Sequence, residues 1–307
     1  MFKIIKNSLS LLEKSLLTFF YKLKPKYFFY QSFNLFQNYP AKPKIIGLEL
    51  TKNTRLGKKG DVLYLPNDAY LAWWLMKYGE IKYPISDFVE NKLQDNNRYT
   101  FIDIGANVGF TSREVFLNNT NIDQIICIEP VKSTFSCLEK NTATFQKKLL
   151  FNFALGQNNS TEEIYIDNAN NGNASLVESM MNTSKYKSYE TEKIEIKSVD
   201  DFFKNIADEV NNQGLIIKID TQLYDELIFS LLPDDIIKQT RMVCYELTCL
   251  NGIQGPEFSI EKFENNISSF NTIWSKELGT ISKEELIKIT AREKNIGNLE
   301  TDIYLLK

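Results

Sequence analysis

From residue 99 onward, short apolar runs alternate with helical patterns, and this alternation constrains the fold more than any other feature of the chain. Strands alternating with helices form a mainly parallel sheet covered by helices on both faces. We therefore expect a doubly wound α/β fold. The predicted strands cover residues 100–104, 124–128, 149–155, 163–166, 193–199, 215–219, 242–247 and 302–306, and the predicted helices cover 111–117, 133–144, 200–210 and 223–232. Asp200 is the expected cap of the third helix.

The chain before residue 99 has a different character. Apolar residues recur every three or four positions over residues 2–23, which predicts an amphipathic helix with lysines between them. Two interpretations remain open: the helix packs on the protein or a second subunit, or it lies on an anionic membrane surface. Residues 45–50 and 62–65 resemble short strands, residues 68–78 resemble a helix, and the aromatic-rich stretch 27–98 is expected to flank the substrate site.

Three parts of the chain follow from these patterns. Residues 1–40 form an N-terminal helix and linker, residues 41–98 a mixed flanking or lid segment, and residues 99–307 the α/β domain. Within the last part, residues 168–188 are rich in Asn, Ser and Lys and predict a loop excursion from the sheet. Ser282 and Glu285 form a capping box at the start of a late helix, and Gly297 supplies a helix stop.

The composition excludes several classes of site. The chain contains no histidine, so a Ser-His-Asp or Cys-His catalytic unit and a histidine-ligated metal are excluded. None of the four cysteines forms a Cys-x-x-Cys pair, and no metal site is expected. A formal net charge of −3 gives no reason to expect nucleic acid as a partner. No apolar run reaches about 18 residues, and we expect a cytoplasmic protein, or one at the inner membrane surface.

The strongest functional signal is the strand, turn and helix over residues 101–111. Gly105 follows the strand directly, and the next helix offers free amides that suit a carboxylate. A dinucleotide motif would place glycines where Asn107 and Phe110 stand, which disfavours a nicotinamide cofactor. The carboxylate of Asp103 would also face the phosphates of a dinucleotide, whereas it could pair with an amino group of another ligand. The plain alternative is a structural connection alone. The candidate binding residues of this stretch are Asp103, Gly105, Ala106, Asn107, Gly109 and Thr111.

Two later strand ends add to this signal. Glu129 ends the next strand, where an acid can accept both hydroxyls of a ribose. Ala154 and Leu155 end the third strand, where an adenine would lie. A surface acid beside a turn proline is the alternative for Glu129.

The candidate catalytic residues lie at and just after the end of the fourth parallel strand. Lys218, Asp220, Gln222 and Tyr224 can orient or deprotonate a substrate hydroxyl, and Asp220 also belongs to the candidate cofactor set. A structural ion pair for Lys218 and a core position for Tyr224 are the alternatives. Glu246, at the end of the fifth strand, is a weaker candidate for the same pocket.

The order of these motifs resembles the FkbM-type S-adenosylmethionine-dependent methyltransferases. The shared residues are Asp103, Gly105, Ala106, Asn107, Gly109, Glu129-Pro130, Asn152, Ala154-Leu155-Gly156, Ser175-Leu176 and Lys218-Ile219-Asp220. The resemblance implies a seven-stranded, Rossmann-like class I methyltransferase fold, S-adenosylmethionine as cofactor, and O-methylation of sugars, lipids or natural products. Leu223 stands where the family usually has glycine, which predicts a narrower pocket or altered activity.

These observations lead to one principal hypothesis and two alternatives. The principal hypothesis is O-methylation of a hydroxyl on a sugar, glycan or small metabolite. The first alternative is a non-catalytic binding protein of the same fold, associated with a membrane, a glycan or a partner enzyme. The second is a nicotinamide oxidoreductase. The expected partner is a hydroxylated acceptor, with peripheral membrane contact or self-association through the N-terminal helix.

Overall fold

A computed structural model describes residues 2–4, 45–66, 71–72, 74–75, 81–93, 95–167, 170–183, 189–210, 213–250, 252–293 and 296–307. The strands in these ranges are β1 Phe2–Ile4, β2 Ile45–Leu50, β3 Val62–Pro66, β4 Tyr99–Ile104, β5 Ile122–Ile128, β6 Lys148–Phe151, β7 Ala154–Gly156, β8 Ser160–Asp167, β9 Tyr189–Ser198, β10 Gly214–Ile219, β11 Thr240–Cys249, β12 Thr272–Ser275, β13 Gly279–Thr280 and β14 Leu299–Leu306.

The helices of the described residues cover both faces of the large sheet. They are α1 Pro84–Lys92, α2 Phe110–Asn118, α3 Lys132–Asn141, α4 Val199–Asn205, α5 Ala207–Val210, α6 Asp225–Leu231, α7 Asp234–Gln239, α8 Ile260–Ser268 and α9 Lys283–Thr290. None of the helices in the described part of the chain is long and apolar enough to span a bilayer.

The predicted doubly wound sheet is confirmed. Over the described residues its strand order is β13-β12-β14-β11-β10-β4-β5-β6, so the two-residue β13 adds an edge to seven longer strands. The five strands from β11 to β6 are parallel, whereas β14 runs antiparallel to β11. The strand order reverses between β4 and β10, and ligands of such folds bind in the crevice at this reversal.

One predicted strand is two strands in different sheets. The predicted strand 149–155 is broken at Asn152, whose side-chain amide donates to the carbonyls of Glu129 and Pro130 at 2.9 Å each. The chain turns there, and β7 joins a second sheet in the order β7-β9-β8. The break carries the chain around the end of β5, which places Ala154 and Leu155 beside the crevice.

Two helix starts differ from the sequence prediction. Ser198, not Asp200, caps α4, because its hydroxyl accepts from the amide of Asp201 at 3.1 Å. The helix predicted from residue 223 begins at Asp225, since Gln222 and Leu223 have positive φ angles of 51° and 87°. The Ser282 cap is confirmed: its hydroxyl accepts from the Glu285 amide at 3.0 Å.

The N-terminal prediction is wrong at its start. Phe2–Ile4 pairs with β2 as an antiparallel strand instead of starting a helix. The rest of the predicted helix, residues 5–23, lies outside the described residues. Of the helix predicted at 68–78, residues 71, 72, 74 and 75 are helical and the others also lie outside them.

The flanking segment packs on helices α2 and α3. Leucines of β2, β3 and the loop between them form an apolar cluster with Val108, Phe110 and Cys137. The side chain of Asn141 donates to the Tyr64 carbonyl and accepts from the Tyr64 amide, both at 2.7 Å. These contacts fix the segment beside the carboxyl end of β4.

Candidate functional site

The turn after β4 is held between the two neighbouring strands. The amides of Gly105 and Ala106 donate to the carbonyl of Ile128 on β5 at 3.0 and 2.9 Å. Gly105 has a φ of 78°, and a Cβ there would lie 1.8 Å from the Asp220 carbonyl oxygen. Only glycine fits between β4 and the chain leaving β10. The backbone of the turn after β4 is therefore held in one position at the point where the strand order reverses.

A cleft that opens to solvent lies above this turn. Ile128, Ile164 and Leu176 contribute an apolar wall. Eight of the sequence-predicted site residues line the cleft: Gly105, Asn107, Glu129, Ala154, Leu155, Asp220, Gln222 and Tyr224.

Glu129 is oriented by the backbone around it. One carboxylate oxygen accepts from the amide of Asn107 at 2.9 Å, and the other accepts from the amide of Val131 at 2.8 Å. Burial raises the pKa of Glu129 to about 7, although the two amide donors and the charge of Lys218 oppose this shift. The side chain therefore presents a fixed carboxyl group to the cleft.

The other predicted site residues lie behind the cleft wall. Asp103 is fully buried and accepts from the Ser112 hydroxyl at 2.6 Å and the Lys218 ammonium at 3.1 Å. Its carboxylate is thus engaged within the protein, whereas the sequence analysis left it free to meet an amino group of a ligand. The remaining residues of this set, also buried, are Ala106, Gly109, Thr111 and Lys218.

Lys218 connects the turn after β4 to the end of β10. Its ammonium lies 3.1 Å from Asp103, 3.2 Å from the Gly105 carbonyl and 3.3 Å from Asp220. Burial alone would lower the pKa of Lys218, but the carboxylates of Asp103 and Asp220 raise it well above its ordinary value. Lys218 therefore stays protonated and acts as a fixed positive charge.

Gln222 joins two carboxyl groups. Its side-chain amide donates to Asp220 at 3.1 Å and to Glu246 on β11 at 2.8 Å. The Asp220 side chain is 39 % exposed, and so it is accessible from the cleft. Tyr224 also lines the cleft, and burial raises the pKa of its hydroxyl. The structure thus brings Lys218, Asp220, Gln222 and Glu246 into one cluster.

The segment over residues 170–183 borders the site, although none of its residues is among the candidate site residues predicted from the sequence. It contains two 3₁₀ turns, Asn171–Asn173 and Glu178–Thr183, and its first turn lines the cleft. The buried Ser175 donates its hydroxyl to the carbonyl of Gln222 at 2.7 Å. The Ser175-Leu176 motif was the only signal in the sequence that could have placed this segment here.

Tyr83, which the sequence analysis did not single out, approaches the site from the flanking segment. Burial raises the pKa of its hydroxyl, and the charges of Lys218, Asp103 and Asp220 act on it. Its backbone amide donates to Glu114 on α2 at 3.1 Å. The charged end of β10 therefore acts electrostatically on a buried tyrosine of the flanking segment.

Leu223 does not narrow the cleft. Its side chain is 4 % exposed and packs with Met180, Met181 and Ile253. The backbone adopts a φ of 87°, a conformation that favours glycine. The apolar contacts of Leu223 offset the strain of its left-handed backbone. They also attach the 170–183 segment to the loop after β10.

The residues of the cleft fit S-adenosylmethionine. The buried side-chain oxygen of Asn107 has no hydrogen-bond partner within the described residues, so a donor group of a ligand can satisfy it. Glu129 can accept from ribose hydroxyls, and Leu155 and Ile164 supply an apolar surface for a purine. The helix that begins at Phe110 offers the amides that a carboxylate needs.

The chain is similar to an O-methyltransferase from Bacillus cereus in complex with SAH, at 9% identity and a TM-score of 0.38, over 77% of this chain and 86% of that one. It is also similar to precorrin-6y C5,15-methyltransferase from Geobacter metallireducens GS-15, at 11% identity and a TM-score of 0.34, over 75% and 92%.

None of the curated proteins matches the sequence at a significant level. A family model described as the methyltransferase FkbM domain matches residues 103–273, which is more than half of the chain. The matched region contains the turn after β4, Glu129 and the cluster of Lys218, Asp220, Gln222 and Glu246. The chain therefore belongs to the FkbM family of methyltransferases, and its cofactor is S-adenosylmethionine.

Proposed function

We propose that this methyltransferase acts on a hydroxyl oxygen of a sugar, a glycan or another small polar acceptor. When bound, S-adenosylmethionine supplies a methyl group activated by its positive sulfur. The protein needs to hold donor and acceptor in line and to remove one proton, and such alignment accounts for much of the rate of a two-substrate reaction.

The donor is proposed to occupy the cleft between the ends of β4 and β5. Glu129 would hold the ribose, Ala154 and Leu155 the adenine, and the turn over Gly105 and Asn107 the amino-acid part. Asp103 and Lys218 would act from behind, because both lie beneath the cleft and fix the turn and Asp220. Ala106, Gly109 and Thr111 would shape the turn and the first residues of α2.

The acceptor is proposed to bind at the cluster of Asp220, Gln222 and Glu246. This cluster is the observation that supports hydroxyl methylation, because carboxylates and an amide accept and donate the hydrogen bonds that a polyol requires. Tyr224 adds aromatic surface with a polar tip to the cleft. Asp220, Lys218, Gln222 and Tyr224 are the proposed catalytic set.

A two-stage experiment tests this function. Calorimetry with S-adenosylhomocysteine should give binding to the wild-type protein, and Glu129→Ala should weaken it at least tenfold, since the ribose contacts are lost. Glu139→Ala is the matched control, because Glu139 is an exposed carboxylate on the neighbouring helix α3. Absence of binding to the wild-type protein would overturn the donor site.

Labelled donor should then be incubated with panels of sugars, amines and carboxylic acids. Methyl ethers formed only with the sugars are the expected result. Transfer to nitrogen or to a carboxylate would replace the hydroxyl assignment. Binding without transfer to any panel would favour the non-catalytic alternative.

A further inference from the structure

Methylation of a hydroxyl releases a proton, and the chain must supply a base that takes up this proton. Histidine is absent from the sequence, so the base is a carboxylate, a tyrosine or a lysine. Lys218 is held protonated by two carboxylates and cannot serve. Burial raises the pKa of Tyr224, which makes its anion scarce at neutral pH.

Asp220 is already engaged by two neighbouring side chains. Its carboxylate forms an ion pair with Lys218 at 3.3 Å through Oδ2 and accepts from Gln222 at 3.1 Å through Oδ1. Because each of its oxygens already has a partner, Asp220 serves to orient Lys218 and Gln222.

Glu246 differs from Asp220 in its surroundings. Gln222 donates to one of its oxygens at 2.8 Å, and among the described residues no lysine or arginine forms an ion pair with it. The residue before it, Tyr245, is in register with Ile219, so Glu246 lies level with Asp220. Side chains alternate along a strand, and both acids therefore extend from the same face of the sheet.

The position of Glu246 in the sheet separates it from the donor. The cleft lies over β4 and β5, whereas β11 is on the far side of β10. A molecule that contacts Glu246 and Asp220 together therefore approaches the cleft from the side opposite the ribose site. That is where an acceptor must stand if the methyl group passes between two bound molecules.

The charged groups that act most strongly on Glu246 are negative, whereas the positive Lys218 pairs with Asp220. Asp220 and Asp225 face it from the end of β10 and the start of α6, and Glu300 and Asp302 face it from β14. Burial and these four carboxylates raise the pKa of Glu246 well above its ordinary value. A positive charge that enters the cleft lowers this pKa again, because it stabilises the ionised form.

We propose that Glu246 receives the proton of the acceptor hydroxyl and that Gln222 is the residue that positions it. This inference rests on the proposed function and names its base. The acceptor oxygen forms a bond to the methyl carbon while the carbon–sulfur bond breaks. The electron pair of the broken bond stays on sulfur, which becomes neutral. The hydroxyl proton passes to Glu246 and leaves to water after the product is released.

Proton counting tests the inference without an identified acceptor. The base has to be ionised when the cationic donor is bound and protonated when the neutral product is bound. Calorimetry at pH 7 in buffers of different ionisation enthalpy should therefore show more proton release with S-adenosylmethionine than with S-adenosylhomocysteine. Each ligand's own amino and carboxylate groups titrate alike with the wild-type protein and with a variant, so the comparison with a variant cancels them.

The variant Glu246→Gln should abolish this difference while both ligands still bind. Glu139→Gln is the matched control, since it removes an exposed carboxylate on α3 that is not among the four around Glu246, and it should preserve the difference. Equal proton release by the two ligands in the wild-type protein would overturn the inference, whether or not the variant folds. A difference that persists in a folded Glu246→Gln variant would overturn it as well.

Turnover gives a second readout with a sugar from the panel that is methylated. Glu246→Gln should lower kcat about 10²- to 10⁴-fold and remove the acidic limb of the pH profile. An unchanged kcat would contradict the inference. Failure of the wild-type protein to bind either ligand would instead overturn the proposed function, and the inference with it.

Discussion

The hydroxyl of Ser175 donates to the backbone carbonyl of Gln222 at 2.7 Å, and this bond links the segment above the cleft to the loop after β10. Ser175 is almost fully buried. Because the Gln222 side chain binds both Asp220 and Glu246, the position of its backbone sets the spacing of the two acids. Ser175 thus positions the candidate catalytic cluster indirectly, by holding the backbone of Gln222.

Replacement of Ser175 by alanine should destabilise the protein. The Gln222 carbonyl would lose its partner in a buried place, which costs about 1–3 kcal/mol. Urea unfolding measures this change. Ser268→Ala is the control, because the exposed Ser268 hydroxyl also donates to a backbone carbonyl, that of Asn265. It should change the free energy of unfolding by less than about 0.5 kcal/mol. Equal effects would contradict a specific role for Ser175.

The sequence predicted the parts of the site that lie close together in the chain. The turn over Gly105 and the acid at Glu129 were identifiable because each follows a buried strand, and parallel strands end at one edge of the sheet. The contact between Ser175 and Gln222 joins residues 47 positions apart across an irregular segment. No periodicity records such a contact, so only the resemblance of the Ser175-Leu176 motif indicated it.

The failures at strand and helix boundaries have a local physical cause. Asn152 breaks the strand predicted over 149–155 through hydrogen bonds to the backbone of the neighbouring strand end, which an apolar pattern does not reveal. Leu223 continues a helical pattern but has a left-handed φ that its packing against Met180 and Met181 offsets. In both cases a tertiary contact overrides the local preference.

Gly105→Ala should be far more damaging than the same change at Gly60. Both glycines have positive φ, 78° and 96°, but a Cβ at Gly60 meets nothing within 4 Å, whereas at Gly105 it would lie 1.8 Å from the Asp220 carbonyl oxygen. Gly60→Ala should cost about 1–2 kcal/mol. Gly105→Ala should cost at least about 3 kcal/mol or prevent folding. Thermal unfolding of both variants checks this, and similar losses would contradict the close approach.

Leu223→Gly should be no less stable than Leu223→Ala. At an ordinary position alanine is more stable than glycine by about 0.5–1 kcal/mol, because glycine loses more backbone entropy. At a φ of 87° the alanine retains the left-handed strain of about 1–2 kcal/mol, which reverses the order. Both variants should be less stable than the wild type, since they lose the contacts with Met180, Met181 and Ile253. Urea unfolding that ranks alanine clearly above glycine would refute the strain.

Binding of S-adenosylhomocysteine should strengthen as the pH rises from 6 to 8. Glu129 has a pKa of about 7, and its ionised form is the better acceptor for ribose hydroxyls. Protonation below pH 7 therefore competes with the ligand, by at most about tenfold per pH unit. Calorimetry at several pH values measures this. In Glu129→Gln the pH dependence of binding that comes from Glu129 should be absent. Because both proteins bind the same ligand, the titration of the ligand itself cancels when the variant is compared with the wild type.

The carboxyl group of Glu129 also affects folding stability, and here the dependence on pH is opposite to that of ligand binding. A carboxyl whose pKa is raised on folding stabilises the protein fully below its unfolded pKa of about 4.5, and this contribution is lost as the pH rises through 7. Unliganded wild-type protein should therefore lose stability relative to Glu129→Gln between pH 4.5 and 7. A constant difference between the two proteins over this range would contradict the raised pKa.

The last prediction concerns the attachment of the flanking segment to helix α2. Glu114, whose side chain is fully buried, accepts from Arg55 at 2.5 Å and from the amide of Tyr83 at 3.1 Å. Glu114→Gln removes the charge beside Arg55 and should cost about 2–3 kcal/mol, less than a fully buried pair because a quarter of the Arg55 side chain is exposed. Hydrogen exchange should show faster opening of β2, β3 and the chain around Tyr83.

Glu90→Gln provides the comparison for this variant. Glu90 also pairs with Arg55, but at 3.5 Å and with half of its side chain exposed, so solvent screens the interaction and the change should cost less than about 1 kcal/mol. If Glu114→Gln opens the flanking segment while β4 and β5 keep their protection, the segment unfolds as a unit, and Tyr83 leaves the site with it. Equal exchange in both variants would show that the apolar cluster with Val108 and Phe110, not the buried ion pair, holds the segment in place.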